Sequence, residues 1–327
     1  MEKRQQPAIA ASEVDALTLG AEAAKIEMHC FESMTLTDEQ FLIGVARPAP
    51  VTISGYLRLP PPWGASTRLP TVVIVHGSGG IMANEDGWSR ELNKLGIATF
   101  VLDCFTGRGI NETISDQTHM GLLSPIIDAY RALELLSKHS RIDPERIAVM
   151  GCSRGGCVAL YASVRRFQHM YAPRGIEFAA YIAFYPLCGT TLIGDEDVSD
   201  RPIRLFHGAA DNYVPVAPCR SYVQRLQRTG KDVELTEYPS ANHLFDNPQF
   251  STVTHLPEAQ TARRCSLEEK PLGKIVVKGL DKPFTLDDPC IERGVDIGYD
   301  ADAHSHAKDA LKKFFTSVFG LKSLATS

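Results

Sequence analysis

Long apolar runs, blocks of like charge and metal-spaced cysteines are all missing from this sequence, and each absence removes a class of function. Nowhere do about 18 apolar residues follow one another, so no transmembrane helix is expected. Lysine and arginine number 34 against 39 aspartate and glutamate, a formal charge of −5. That mild acidic balance offers no footprint for nucleic acid or for an anionic membrane. The opening MEKRQQPAIAASEVDAL starts basic but lacks the roughly 7–15-residue apolar run of a secretory signal. The expectation is a cytoplasmic protein, periplasmic or secreted only if a leader has been removed. None of the 8 cysteines forms a CxxC pair or a His/Cys cluster with ligand spacing, so no metal is expected. Cys104, Cys157 and Cys188 sit in apolar surroundings and read as small buried hydrophobes. Cys265 and Cys290 lie in a polar, loop-rich stretch, where free thiols and a disulfide are both open; a disulfide would point to an oxidising compartment.

What is present is a chain of 327 residues with an ordinary globular composition, 44% hydrophobic and 22% charged. Residues 1–48 read as an N-terminal arm with one short helix near its start, and 49–327 as one domain. Residues 51–60 alternate apolar and polar positions, as an antiparallel edge strand does. The prolines at 60–62 then make a loop. TVVIVHG (71–77), IATFVLD (97–103) and RIAVMG (146–151) are continuous runs rich in β-branched residues, the mark of strands buried on both faces. AAYIAFYP (179–186), PIRLFHG (202–208) and VELTEYP (233–239) extend the series. Helical periods fall between the strands, over 86–95, 124–139, 154–166 and 216–229, and a closing amphipathic helix covers 304–320. Such alternation predicts a doubly wound, mostly parallel α/β sheet of about eight strands with helices on both faces. About 55 residues separate His243 from the closing helix, too many for a structureless loop, so 247–302 is expected to be a small β excursion or flap.

Gly151-Cys152-Ser153-Arg154-Gly155 fits G-x-S-x-G and lies between a buried strand and a helix. A turn that tight tolerates only small residues on either side of the nucleophile. Centring it on Cys152 would place Met150 and Arg154 at the flanking positions; centring it on Ser153 places glycines there. Ser153 is therefore the expected nucleophile. A serine hydroxyl needs a base held in one tautomer. Asp211, after the 202–208 strand, and His243, after the last core strand, complete the order Ser, Asp, His of the α/β-hydrolase fold. Asp246 is too close in sequence to His243 to orient it, and His207, His304 and His306 read as structural or solvated. The loop His76-Gly77-Ser78-Gly79-Gly80 ends the first buried strand and is expected to supply an oxyanion hole. The donors assigned are the backbone N–H groups of Ser78 and Arg154, with Gly79 as the alternative to Ser78.

With these motifs in place, residues 70–246 resemble the dienelactone hydrolase family, through VIVHGSGG, VLDCFTGRG, GCSRGG, HGAADNYVP and ANHLFDNP. The segment CIERGVDIGYDADAHSHAKDALKKFF also looks like C-terminal regions of that family. The resemblance implies an α/β-hydrolase fold and no metal or organic cofactor. Dienelactone hydrolases proper carry cysteine at the elbow, whereas here Ser153 stands there with Cys152 beside it, which suggests a more general esterase. Arg108, in CFTGRG, and the Arg154 side chain are candidates for pairing with a substrate carboxylate, with structural salt bridges as the competing reading. The expected activity is cleavage of a small-molecule ester or lactone through an acyl-enzyme on Ser153. A serine peptidase or amidase of the same fold is the rival enzyme, and a binding protein on an inactive scaffold is the rival outside catalysis. A homodimer is left open.

Overall fold

The computed structural model describes residues 24–44, 50–61, 67–280 and 282–321. The helix expected near the start of the chain and part of the proline loop after residue 60 lie outside them. The chain opens with β1 (Lys25–Met34), α1 (Asp38–Ile43) and β2 (Pro50–Leu59). It continues with β3 (Leu69–Val75), α2 (Ala83–Lys94), β4 (Ala98–Asp103), α3 (Pro125–Ser137) and β5 (Ile142–Cys152). Next come α4 (Arg154–Tyr161), α5 (Arg165–Tyr171), β6 (Tyr181–Phe184), the two-residue β7 (Thr190–Thr191), β8 (Ile203–Gly208), α6 (Ala217–Arg228) and β9 (Val233–Tyr238). Eight of these strands form one sheet in the order β1-β2-β4-β3-β5-β6-β8-β9. The first two join antiparallel, and pairing from β4 onward is parallel. The β-branched runs behave as expected: all of β4 is buried, and all of β3 after its first residue. One apolar core lies between the sheet and α3, α4 and α6; a second lies on the other face, under α2 and the closing helix α7 (Ala301–Val318).

Three boundaries differ from expectation for identifiable reasons. Residues 25–34 are not part of a detached arm, because β1 pairs with β2 from Lys25 opposite Leu59 to Met34 opposite Pro50. Without β1, the outer N–H and C=O groups of β2 would form an open edge. The helix expected over 154–166 breaks into α4 and α5. There the Ser163 hydroxyl turns back onto the Leu160 carbonyl at 2.6 Å, and the Ser163 carbonyl accepts from the Ser199 backbone, which pulls the chain out of helical register. The closing helix starts three residues early, where the Asp300 carboxylate accepts from the Ala303 N–H at 3.0 Å.

The excursion after His243 is a β structure of its own: β10 (Thr254–Thr261), β11 (Leu267–Lys270), β12 (Lys274–Val277) and β13 (Glu292–Ile297). β10 pairs antiparallel with β13, while β11 lies between β12 and β7. Cys265 and Cys290 are joined in a disulfide with their Cα atoms 5.1 Å apart. Among the described residues no helix is long and apolar enough to cross a membrane.

The bridge closes a loop whose ends are 25 residues apart, a size at which the chain-entropy model gives about 3.5 kcal/mol of stabilisation. Replacing both cysteines by serine should lower the unfolding free energy by about that amount in denaturant titration. Limited proteolysis of the double variant should then cut first between β10 and β13.

Candidate active site

The site grows from the end of β5. Ser153 sits between β5 and α4 with φ 55 and ψ −117, a backbone conformation that L-residues avoid. The turn is tight because its neighbours are glycine. A Cβ on Gly151 would come within 2.1 Å of the Gly155 carbonyl oxygen, and one on Gly155 within 2.0 Å of the Val75 oxygen. The Cys152 side chain points the other way, into the core. Its sulfur lies 3.7 Å from Asp246 Oδ2, and burial pushes its thiol pKa well up. A protonated, enclosed thiol is no nucleophile.

Three loops bring the expected residues together. His243 Nδ1–H donates to Asp211 Oδ2 at 2.7 Å, which leaves Nε2 to accept from the Ser153 hydroxyl at 2.9 Å. Asp211 is held in turn, because its Oδ1 accepts the N–H groups of Tyr213 and Val214 at 2.9 and 2.8 Å. The imidazole is flanked by two rings, Tyr185 at 4.5 Å and Tyr213 at 4.8 Å between centroids. Tyr185 reaches it from a strained backbone with φ 37. The excursion braces both loops. Gly298 N–H donates to the His243 carbonyl at 2.9 Å, and Asn212 exchanges two hydrogen bonds with Asp296, at 2.7 and 2.8 Å. Tyr185, Asn212, Tyr213 and the end of β13 went unread in the sequence; only the run Asp211-Asn212-Tyr213 carried a signal.

Facing Ser153 is the loop that follows β3. His76 Nε2 accepts from the Cys104 N–H at 3.2 Å, so Nδ1 carries the proton and donates to the Gly77 carbonyl at 2.7 Å. Burial lowers the His76 pKa and keeps the ring neutral for this double role. The clamp sets the loop against the elbow, where a Cβ on Gly77 would lie 3.3 Å from the Cys152 oxygen and from Ser153 Cβ. Arg154 is the first residue of α4, so its N–H has no acceptor within the helix. Ser78, Ser153 and Arg154 line one cavity.

The family model described as "Dienelactone hydrolase family" matches residues 53–319. The chain belongs to the dienelactone hydrolase family. It accordingly has the α/β-hydrolase fold. The acylamino-acid-releasing enzyme 1 of Oryza sativa subsp. japonica is 25% identical over 247 residues, which cover 74% of this chain but 28% of that protein. The dienelactone hydrolase-like promiscuous phosphotriesterase P91 from metagenomic libraries superposes with TM-score 0.54 at 18% identity, over 89% of this chain and 98% of that one. Esterase 2 of Thermogutta terrifontis, phosphorylated by paraoxon, does so with TM-score 0.53 at 16% identity, over 93% and 96%. At these identities the two structural likenesses are of fold.

The other candidates lie elsewhere. Arg108 is not a substrate-binding cation. Its guanidinium pairs with both oxygens of Asp128, at 2.8 and 2.9 Å, and donates to the Cys104 and Met34 carbonyls. Asp128 sits on α3 with no exposure and requires that cation. The terminal nitrogens of Arg154 are engaged as well, with the carbonyls of Met120 and Gly121 at 3.1 and 3.2 Å and with Gln117 Oε1, while its Nε is buried without a partner. Asp246 accepts from Trp88 and Tyr185 at 2.7 and 2.6 Å, and His207 stops 4.0 Å from Asp211. His304 packs on Trp88 and His306 meets the Tyr238 hydroxyl. Glu27, His29 and His139 form the one cluster of three potential metal-ligating residues among the described residues. There the Arg141 N–H donates to His139 Nδ1, which puts the proton on Nε2 facing Glu27. The cluster is therefore hydrogen-bonded as it stands and closed to a metal at that nitrogen.

Two outcomes follow. Arg108→Ala strands a buried carboxylate, so it should cost about 3 kcal/mol in denaturant unfolding while leaving KM of the folded fraction unchanged. Glu85, buried on α2, is pushed from 4.5 up to about 8, by burial first and by the Asp246 carboxylate in addition, against a hydrogen bond from the Met82 N–H. The folded state therefore holds a proton that the unfolded chain releases. The stability from this group is full below 4.5 and lost as pH rises to about 8. Over that window the thermal midpoint of the wild type should fall relative to Glu85→Gln.

Proposed function

We propose that the protein hydrolyses a small carboxylic ester or lactone by acyl transfer through Ser153. The observation that carries this reading is the hydrogen-bonded series from Ser153 Oγ through His243 to Asp211, beside a loop of backbone donors. His243 Nε2 takes the hydroxyl proton as Ser153 Oγ attacks the carbonyl carbon, and Asp211 stabilises the imidazolium through Nδ1–H. The oxyanion is held by the N–H groups of Arg154 and of Ser78, with Gly79 as the alternative to Ser78. The alcohol leaves with the proton from His243; from a lactone it stays tethered to the acyl group. Water then attacks the acyl-enzyme by the same route and releases the acid.

The flanking tyrosines and the Tyr213 and Val214 N–H groups support the mechanism, since they hold the base and its acid in place before substrate arrives. No cofactor enters the reaction. The Cys265–Cys290 bridge favours an oxidising compartment over the cytoplasm. A serine peptidase or amidase is the second reading. It is favoured by the match to the acylamino-acid-releasing enzyme, of which this chain spans only 28%.

Hydrolysis of p-nitrophenyl acetate and butyrate decides the roles. Ser153→Ala should lose at least about a thousandfold in kcat, while Cys152→Ala stays within a few-fold of wild type. A dead Cys152→Ala with an active Ser153→Ala would make the enzyme a thiol hydrolase. Paraoxon should inactivate the wild type with a diethylphosphoryl adduct on the Ser153 peptide, as in the phosphorylated esterase of the same fold. A wild type that neither turns over these esters nor takes a fluorophosphonate would mark a binding protein. N-acyl amino-acid p-nitroanilides turned over faster than the esters would favour the peptidase reading.

A further inference from the structure

The cavity over Ser153 holds about 490 Å³, the size of site that encloses a drug-sized group rather than an acetyl. Its roof is the excursion between β10 and β13, which contributes Leu267, Ile275, Phe284 and Ile291, and Tyr161 of α4 and Leu192 after β7 add to the lining. That roof is strapped down. The Cys265–Cys290 disulfide joins its two sides, Arg166 grips both oxygens of Glu269 at 2.8 Å, and backbone bonds tie Leu267 to Gly189 and Gln260 to Ile114. The space is therefore a standing feature of the fold.

Several polar groups in the walls are already engaged, and the two that have no partner, Arg154 Nε and the Tyr213 hydroxyl, are themselves enclosed. The Arg154 terminal nitrogens are taken by two carbonyls and Gln117, and the Thr261 hydroxyl donates to the Tyr213 carbonyl at 2.7 Å. The Gln260 side-chain oxygen accepts the Gln117 N–H at 3.0 Å, and Asp38 accepts the Leu123 N–H at 2.9 Å. At the rim Glu39 and Lys274 are exposed, one of each sign. A charged group carried inside would lose its water and find these partners engaged, at a cost that an apolar group does not meet.

Resting on the ester-hydrolase reading, we propose that this roofed space is an apolar subsite and that the substrate is a neutral ester bearing an aryl or medium-length alkyl body. Each methylene placed under the roof is worth about fourfold in binding. The scissile carbonyl lies over Ser153, and the apolar body extends toward Ile275 and Phe284.

Two measurements on the full chain test this separately from the chemistry. First, Ser153→Ala is titrated calorimetrically with ethyl acetate, ethyl hexanoate and ethyl hydrogen adipate, the last matching hexanoate in length but carrying a carboxylate. Ethyl hexanoate should bind at least about tenfold more tightly than either. Equal binding of all three, or preference for the adipate, overturns the proposal whether or not the protein is an esterase. Second, kcat/KM is compared for p-nitrophenyl acetate, butyrate and hexanoate in wild type and in Phe284→Ala, a half-buried position whose truncation the roof should survive. The expected result is a rise with chain length in wild type that is flattened at least several-fold in the variant, with acetate unchanged. A flat wild-type series, or an equal loss for acetate and hexanoate, overturns it. Tight hexanoate binding by a protein inert toward every ester would retire the hydrolase reading and leave the subsite standing. If Ser153→Ala does not fold, 2-octanone and acetone replace the esters as uncleavable neutral probes on wild type, with the same tenfold expectation.

Discussion

The turn at Ser153 works only because two carbonyl oxygens sit where side chains would be. With Val75 O and Gly155 O each about 2 Å from a virtual Cβ, strand β5, helix α4 and the loop after β3 meet at one point with no room to spare. The rest of the site follows from that contact. It forces Ser153 into positive φ, presents its hydroxyl above the carboxyl ends of the parallel strands, and turns Cys152 down into the core. It also fixes the distance between the elbow and the loop clamped by His76, so the loop facing Ser153 is set by the same packing that sets the turn.

The excursion serves two ends at once. Its last strand braces the acid and histidine loops, through the Asn212–Asp296 exchange and the Gly298–His243 bond. Its middle roofs the cavity. A segment that is joined by a disulfide and hydrogen-bonded to both walls couples the base to the shape of the binding space.

Buried charge is held mostly in closed pairs. Arg108 with Asp128 and Arg166 with Glu269 connect elements far apart in sequence, and neither guanidinium is left over for a ligand. Behind Ser153, Asp246 gathers the Trp88 and Tyr185 donors, and burial pushes the pKa of the nearby Glu85 carboxyl up to about 8. Tyr185 ties this buried cluster to the imidazole it packs against.

The sequence by itself determined the alternating strands and helices, because β-branched runs buried on both faces and amphipathic helical periods are local patterns. It also determined the register of the elbow, since only glycines fit around Ser153, and the order Ser153, Asp211, His243. It left β1 unread: KIEMHC (25–30) alternates polar and apolar residues, but the partner that makes this segment a strand, the open edge of β2, is no local pattern. The pairing of Cys265 with Cys290 stood open for the same kind of reason: two cysteines in a polar loop do not say how far apart the fold will put them. The fates of Arg108 and Arg154 were undecidable from CFTGRG and GCSRGG, because a guanidinium looks the same before a substrate as before Asp128. Only the tertiary structure decided those points, and the shape of the cavity with them, since each depends on groups brought together from distant parts of the chain.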